Sequence, residues 1–313
     1  MKKILLLEGG CNEEHEISLK TSSEVKKSLK RLKIDYKVIS VNPENFKNKI
    51  KIFNNDYICF NALHGPYGED GQIQKILEDN NFHFTHSNSS SSKLAFDKDL
   101  TKLKLKDTKV TFIESIVIDK DQISMDKFID SFNRIGAFVL KPVNSGSSFG
   151  IKIFKSITDI ENYFIDLDNE IKIYKNHNRF LLEKYIKGRE LTVGVIENDK
   201  IAKAIEVTEI IYKNAFFDYK AKYSKGYSNH VLPAEIPKEI YESCLLFAEI
   251  AHEEIGCKGV SRSDFIFDNE NLYFLEINSQ PGLTPISLVP EQLRKKNINF
   301  DMLIKKIIEA SCD

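Results

Sequence analysis

The chain opens on an apolar run that stops abruptly, Ile4 to Leu7 within "KKILLLEG". A short unbroken apolar run bounded by glycine reads as a strand buried on both faces, as in a parallel sheet. "EISLKTSSEVKKSLKRL" follows with apolar positions recurring at about 3.6 residues, which predicts a helix. "DYKVISV" and "DYICFNAL" read as two more strands and "GQIQKILEDN" as the next helix. Strands alternating with helices predict a doubly wound parallel-sheet α/β domain over residues 1–95. The polar stretch "THSNSSSSK" reads as a loop or helix cap at the boundary that ends it.

From "FDKDLTKLKLKD" onward the rhythm changes. Alternation in "AFVLKPV", "IKIFKS" and "RFLLEKYI" predicts antiparallel strands around a helix near residues 157–168. Past Gly188 come two strands, "ELTVGVIE" and "KIAKAIEVTEI", then a polar and aromatic connection over residues 213–232 without clear secondary structure. A connection that long is usually functional or mobile. The helix "KEIYESCLLFAEIAHEEIG", the strands "GVSRSDFIFD" and "LYFLEINS", and a helical end complete the chain. The fold class expected is α/β followed by α+β, with no internal repeat.

Bulk numbers narrow the picture by exclusion. With 313 residues, 42% hydrophobic and 29% charged, the chain can bury a large core in two or three domains. A formal net charge of −1 gives no reason to expect nucleic acid or an anionic membrane as partner. Cys11, Cys59, Cys244, Cys257 and Cys312 are odd in number and lack CxxC spacing. They argue against a disulfide framework or zinc site and for a reducing compartment. Ile4–Leu7 is too short for a signal sequence, and no window nears the ~18 apolar residues of a membrane span. A cytoplasmic protein is expected.

Four stretches carry candidate chemistry. In "SRSDFIF" and "FLEINSQPG", alternation puts Arg262 and Asp264 on one face of the first strand and Glu276 and Asn278 on one face of the second. A tight connection centred on Glu270 would set Asp264 opposite Glu276 and Arg262 opposite Asn278. Two carboxylates and an amide oxygen suit Mg²⁺ with substrate phosphates; a solvated face laced with salt bridges is the alternative. "LKPVNSGSSFG" puts Lys141 at a strand end before a loop, Ser145 to Gly150, that either cradles anionic oxygens or merely turns a hairpin. In "LLEKYIKGRE" the backbone after an apolar strand could meet an adenine edge and Glu190 a ribose, or the segment could simply connect two strands. In "GGCNEEHEISL", Glu14 and Glu16 either meet a ligand or complement a helix dipole. The strand end His64-Gly65, with Glu69-Asp70-Gly71 behind it, lies where open α/β sheets bind ligands.

Taken together, "GGCNEEHEISL", "LHGPYGEDGQIQ", "LKPVNSGSSFGI", "FFDYKAKY", "SRSDFIF" and "EINSQPGLTPISLVP" resemble the D-alanine–D-alanine ligases of the ATP-grasp superfamily. The likeness covers essentially the whole chain in the right order. "HGPYGEDGxxQ" and "EINSQPGLTPxSLVP" are specific to this family, whereas the lysine and Gly/Ser pieces are shared across ATP-grasp enzymes. Asn12 stands where a small hydroxyl residue is usual, and Phe96 replaces the common methionine before Asp97-Lys98.

The resemblance implies an ATP-grasp fold with a central subdomain over residues 96–186 and a C-terminal subdomain over 187–313. It implies ATP-driven ligation of two D-alanines through an acyl phosphate, with two Mg²⁺ ions (Mn²⁺ as a substitute) on Asp264, Glu276 and Asn278. By the same matching, Lys98 and Lys141 hold phosphates under the Ser145–Gly150 loop. Glu183, Lys184, Tyr185 and Ile186 line the adenine, Glu190 takes the ribose, and Phe216, Lys222 and Leu275 add contacts. Glu14, linked through Ser147 to Tyr223, receives the first D-alanine, beside His64 and Ile17. Arg262 and the Gly282 N–H stabilise the oxyanion, and Ser287 and Leu288 hold the second D-alanine. Residues 213–232 become a lid, and a homodimer is the implied assembly. Tyr223 in "AKY" favours a dipeptide over D-Ala-D-lactate. A dinucleotide oxidoreductase would need a GxGxxG absent here, and a non-catalytic nucleotide binder would not need both lysines, the acid pair, Asn278 and Arg262.

Overall fold

The computed structural model describes residues 3–146, 149–212 and 228–311, with Ser228 described by its backbone alone. The first sheet is built from β1 (Lys3–Gly9), β2 (Tyr36–Val41), β3 (Tyr57–Asn61) and β4 (His83–Phe84), ordered β2-β1-β3-β4 and parallel throughout. Helix α1 (His15–Arg31) joins β1 to β2, while α2 (Pro43–Lys49) and α3 (Gln72–Asp79) follow β2 and β3. The unbroken apolar run of β1 is explained by its two covered faces. Ile4 and Leu6 share a core with Val25 and Leu29 of α1, and Leu5 and Leu7 share another with Phe46, Ile73 and Leu77. Strand order reverses between β1 and β3, so a crevice opens at their carboxyl ends, where Gly9, Gly10 and His64 sit.

The serine run differs from a plain loop. Ser89–Phe96 forms helix α4, with Asn88 as its N-cap accepting from the Ser91 N–H at 2.8 Å. Ser91 and Ser92 are buried, where their small side chains allow close packing, and Ser89 is held by Glu78 through its N–H (2.7 Å) and hydroxyl (2.6 Å). Helix α5 (Lys98–Leu105) follows directly, capped by the Asp97 side chain.

The second sheet is antiparallel and ordered β5-β8-β6-β7, from β5 (Ser115–Asp119), β6 (Phe138–Pro142), β7 (Lys152–Phe154) and β8 (Arg179–Lys184). Helices α6 (Met125–Ile135) and α7 (Ile157–Ile165) pack a phenylalanine-rich core onto it, with Phe128 among Phe138, Phe154 and Tyr163. A short α8 (Leu167–Glu170) ends the excursion.

The third sheet is ordered β11-β10-β9-β12-β13: β9 (Arg189–Asn198), β10 (Ile201–Tyr212), β11 (Ser228–Val231), β12 (Val260–Phe267) and β13 (Leu272–Asn278). Residues 228–231, expected within an unstructured connection, instead pair antiparallel with β10, Glu209 opposite Val231 and Tyr212 opposite Ser228. Residues 213–227 of that segment lie outside the described residues. Helix α9 (Lys238–Ile255) covers the apolar face of the sheet, Ala248 and Ala251 joining the core of Phe265, Phe267 and Phe274. Helices α10 (Leu288–Lys295) and α11 (Phe300–Ala310) close the chain, and α11 packs its Ile304 and Ile307 into the core that contains α1.

Candidate active site

The β12–β13 hairpin reproduces the expected pairing by a route that alternation alone would not show. Arg262 lies opposite Asn278 and Asp264 opposite Glu276. The turn, however, spans Asp268–Asn271, with the Asp268 side chain accepting from the Glu270 and Asn271 N–H groups and Asn269 at φ 80°. That centre is half a residue short of the expected one, and a bulge beyond Asp264 restores the register. The bulge also leaves Leu275 and Glu276 both half-buried between buried Phe274 and Ile277, so neighbours in sequence share the site face.

On that face Asp264 accepts two bonds from Arg262, Nε at 2.9 Å and NH2 at 2.7 Å, and a third from Thr192 Oγ1 at 2.6 Å. Glu276 lies 3.1 Å from Lys98 Nζ, which also donates to the Ser145 carbonyl at 2.6 Å. Asn278 Oδ1 accepts from the Gln280 N–H at 2.7 Å. Among the described residues no group of three or more His, Cys, Asp and Glu side chains is arranged to hold a metal. The donor set here is two carboxylates and an amide oxygen, all hard donors, and would suit a divalent cation.

Lys141, at the end of β6, is buried and bonds Glu183 of β8 at 2.5 Å. Strands β6 and β7 pair antiparallel, and Gly150 at φ 67° packs against Tyr174, where a Cβ would approach the ring to 2.5 Å. Ser147 lies outside the described residues. The Glu183 side chain is buried and its other oxygen accepts from Lys102 at 2.6 Å. Burial would push this carboxyl up, but Lys141 and Lys102 together hold it below the usual carboxylate range. Lys184 is exposed, with Tyr185 and Ile186 half-buried behind it. Glu190, at the start of β9, accepts from Tyr212 Oη at 2.8 Å. Leu275 faces the same side as Glu276, while Phe216, Lys222 and Tyr223 lie outside the described residues.

The β1–β3 crevice holds the second group. Glu14 precedes α1 and is buried, with Ile17 one turn on. Gly65 has φ 69°, and a Cβ there would stand 2.3 Å from Glu14 Oε2. Asn12, in place of the usual hydroxyl, ties the two loops together. Its Nδ2 donates to the carbonyls of His64 (2.8 Å) and Pro66 (2.9 Å), and its Oδ1 accepts from the Glu14 N–H. His64 is held by both ring nitrogens, Nδ1 with Glu69 at 3.0 Å and Nε2 with Thr21 at 2.8 Å. Burial raises the Glu69 carboxyl, with the His64 hydrogen bond opposing. Asp70 accepts from the N–H groups of Tyr67 and Gln72, shaping the start of α3, and Gly71 packs on the Ser89 carbonyl. Of that acidic pair, Glu69 alone reaches His64.

Past β13, Gln280 joins the two groups. It donates to the Leu63 carbonyl at 2.6 Å and accepts from Asn61 Nδ2 at 2.9 Å, all buried. Gly282 lies where a Cβ would meet Ser287 Oγ at 3.0 Å. Ser287 precedes α10, its Oγ accepting from the Thr284 N–H at 3.0 Å, and Leu288 opens the helix. Sequence reasoning missed Lys102, Thr21 and Gln280. Lys102 is four residues from Lys98 and so on one helix face, the one signal that pointed to it.

A doubly wound unit followed by two antiparallel sheets, with Lys98 against a carboxylate hairpin, defines the ATP-grasp class of ligases. A family model described as the D-ala D-ala ligase C-terminus matches residues 106–309. The chain is 39% identical to a D-alanine–D-alanine ligase of Zymomonas mobilis, over 99% of this chain and 94% of that protein. A Bacillus anthracis D-alanine–D-alanine ligase solved with ATP aligns with TM-score 0.81 and 27% identity, covering 99% of this chain and 96% of that one. D-alanyl-alanine synthetase A from Vibrio cholerae aligns with TM-score 0.84 at 25% identity over the full length of both chains. The chain belongs to the D-alanine–D-alanine ligase family. No helix among the described residues is long and apolar enough to cross a membrane.

Proposed function

We propose that the chain ligates two D-alanines to D-alanyl-D-alanine at the expense of ATP, supplying a peptidoglycan precursor. The observation that carries this reading is the pairing of Asp264 with Glu276 beside Asn278, with Lys98 on Glu276, at one end of a run whose other end, through Gln280, bonds the Leu63 carbonyl next to His64.

In this reading Glu14 takes the ammonium of the first D-alanine, in a space that Gly65 leaves open and Ile17 lines, with His64 oriented nearby by Glu69 and Thr21. The free carboxylate of that substrate attacks the γ-phosphate of ATP, giving an acyl phosphate and ADP. Lys98 and Lys141 would hold the phosphates. Glu183, Lys184, Tyr185, Ile186 and Leu275 would border the adenine, with Glu190 on the ribose. Asp264, Glu276 and Asn278 would hold two Mg²⁺ ions, whose contribution when bound is to neutralise phosphate charge. Ser287 would take the carboxylate of the second D-alanine at the N-terminus of α10, where helix-end N–H groups favour an anion, and Leu288 would border it. Its deprotonated amine attacks the acyl carbon and phosphate leaves. Arg262 and the Gly282 N–H would stabilise the tetrahedral oxyanion. Ser147, Phe216, Lys222 and Tyr223 complete the set by family resemblance.

The same reading places residues 1–95, 96–186 and 187–313 as three domains and the protein as a cytoplasmic homodimer. The test is ADP release from Mg-ATP. Release that requires D-alanine, with L-alanine and D-lactate inactive, is expected; release independent of D-alanine would overturn the reading.

A further inference from the structure

Lys102 of α5 is largely enclosed beside the proposed phosphate site without facing it. An ammonium has three donors, and Lys102 spends them inward, on Glu183 Oε1 (2.6 Å), Ser115 Oγ (2.9 Å) and the Ile113 carbonyl (3.1 Å). Lys141 reaches the other oxygen of the same carboxylate at 2.5 Å. The three side chains are among the least exposed charges in the molecule, at 14% (Lys102), 4% (Glu183) and 11% (Lys141).

We propose that Lys102 is a positioning residue that frees Lys141 for nucleotide phosphate by keeping Glu183 paired when Lys141 turns away. The inference rests on the assignment of Lys141 to phosphate. A buried carboxylate with one cation grips it, because withdrawing that cation strands a charge away from water. With a second cation locked on the far oxygen by two further hydrogen bonds, the carboxylate stays compensated. Lys141 then exchanges one anionic partner for another at little cost. Burial lowers the Lys102 ammonium pKa, and the charge and hydrogen bond of Glu183 oppose that fall. A purely structural Lys102 would support the fold without distinguishing between states of Lys141.

The experiment measures binding of Mg-ADP and of a non-hydrolysable ATP analogue by titration calorimetry, with D-alanine-dependent turnover and melting curves alongside. Lys102→Met should weaken analogue binding by about tenfold or more, the scale of a charge-assisted contact, while KM for D-alanine stays within about twofold. Glu183→Gln alone sets the reference for its own effect at the adenine border, and against that reference Lys141 is no longer gripped. In a Glu183→Gln background, Lys102→Met should have no further effect, a comparison that holds even if Lys102→Met alone fails to fold. Unchanged affinity in Lys102→Met, or equal losses with and without Glu183, would overturn the proposal. Lys141→Met separates the two levels: if it binds the analogue as well as wild type, the assignment of Lys141 fails instead.

Discussion

Lys98 Nζ stands 3.1 Å from the Glu276 carboxylate while donating to the Ser145 carbonyl, so one ammonium spans the β13 carboxylate and the β6–β7 connection. Glu276 is therefore both a candidate metal ligand and the counter-charge that places Lys98. Glu276→Gln keeps the shape and removes the charge. D-alanine-dependent ADP release should fall by roughly two orders of magnitude or more, the scale of several kcal/mol of lost charge stabilisation. The melting temperature should stay near wild type. Near-normal turnover at saturating Mg²⁺ would remove Glu276 from the metal site.

Arg262 forms a fork-shaped pair with Asp264. If that pair only balances charge, lysine should replace it. If the guanidinium also directs hydrogen bonds to an oxyanion, a point charge cannot reproduce the geometry. Arg262→Lys is expected to lose about 10²–10³ in kcat, the typical cost of one oxyanion donor. ATP affinity and melting temperature should barely move. Survival of kcat within about threefold would leave the salt bridge as the whole role.

Gly65 brings the His64 loop directly against Glu14. Gly65→Ala meets a carboxylate oxygen at 2.3 Å and a backbone at φ 69°. The conformation alone costs a non-glycine residue about 1–2 kcal/mol. KM for the first D-alanine should rise more than KM for ATP, as steady-state kinetics with each substrate varied would show. Equal changes in both would place Gly65 in folding alone.

His86 is buried to 3% exposure, at φ 67°, edge-on to Phe60, and neither ring nitrogen finds a hydrogen-bond partner among the described residues. Burial, with the nearby His64 charge adding to it, lowers its pKa to about 3. The unfolded chain binds this proton near the ordinary histidine value while the folded one does not. Stability is therefore whole above pH ~6.5 and drains away as pH falls toward 3, by up to about 1.4 kcal/mol per pH unit. His86→Asn, whose side chain tolerates positive φ, should flatten the acid limb of urea-unfolding free energy between pH 6.5 and 4.5. An unchanged slope would place the acid sensitivity elsewhere.

Much of this architecture could be read from residue order because the strongest signals were local. The β1 run and the α1 periodicity record burial on two faces and on one, and the structure repeats both patterns. The facing of Asp264 and Glu276 followed from period-two alternation, yet alternation alone would have turned Leu275 away from Glu276. The bulge that reverses this depends on a turn held by Asp268. Strand β5 and helix α6 went unread because "SIVID" is short and its neighbours are polar. The serine run became helix because Asn88 caps it and the surroundings have room only for small side chains, a tertiary fact. Lys102 and Gln280 were hidden for a related reason. Their partners lie 81 and 217 to 219 residues away, and no local pattern encodes a contact across that separation.

Gln280 sits two residues past Asn278 and two before Gly282, with both ends of its amide fastened at the end of β3, to Asn61 and Leu63. The span between the proposed phosphate-transfer and peptide-forming centres is thus fixed by the main chain itself. Tilting the first sheet away from β13 would strip both buried bonds, each costing about 1–3 kcal/mol once left unmade. The short peptide therefore acts as a fixed gauge between two workstations.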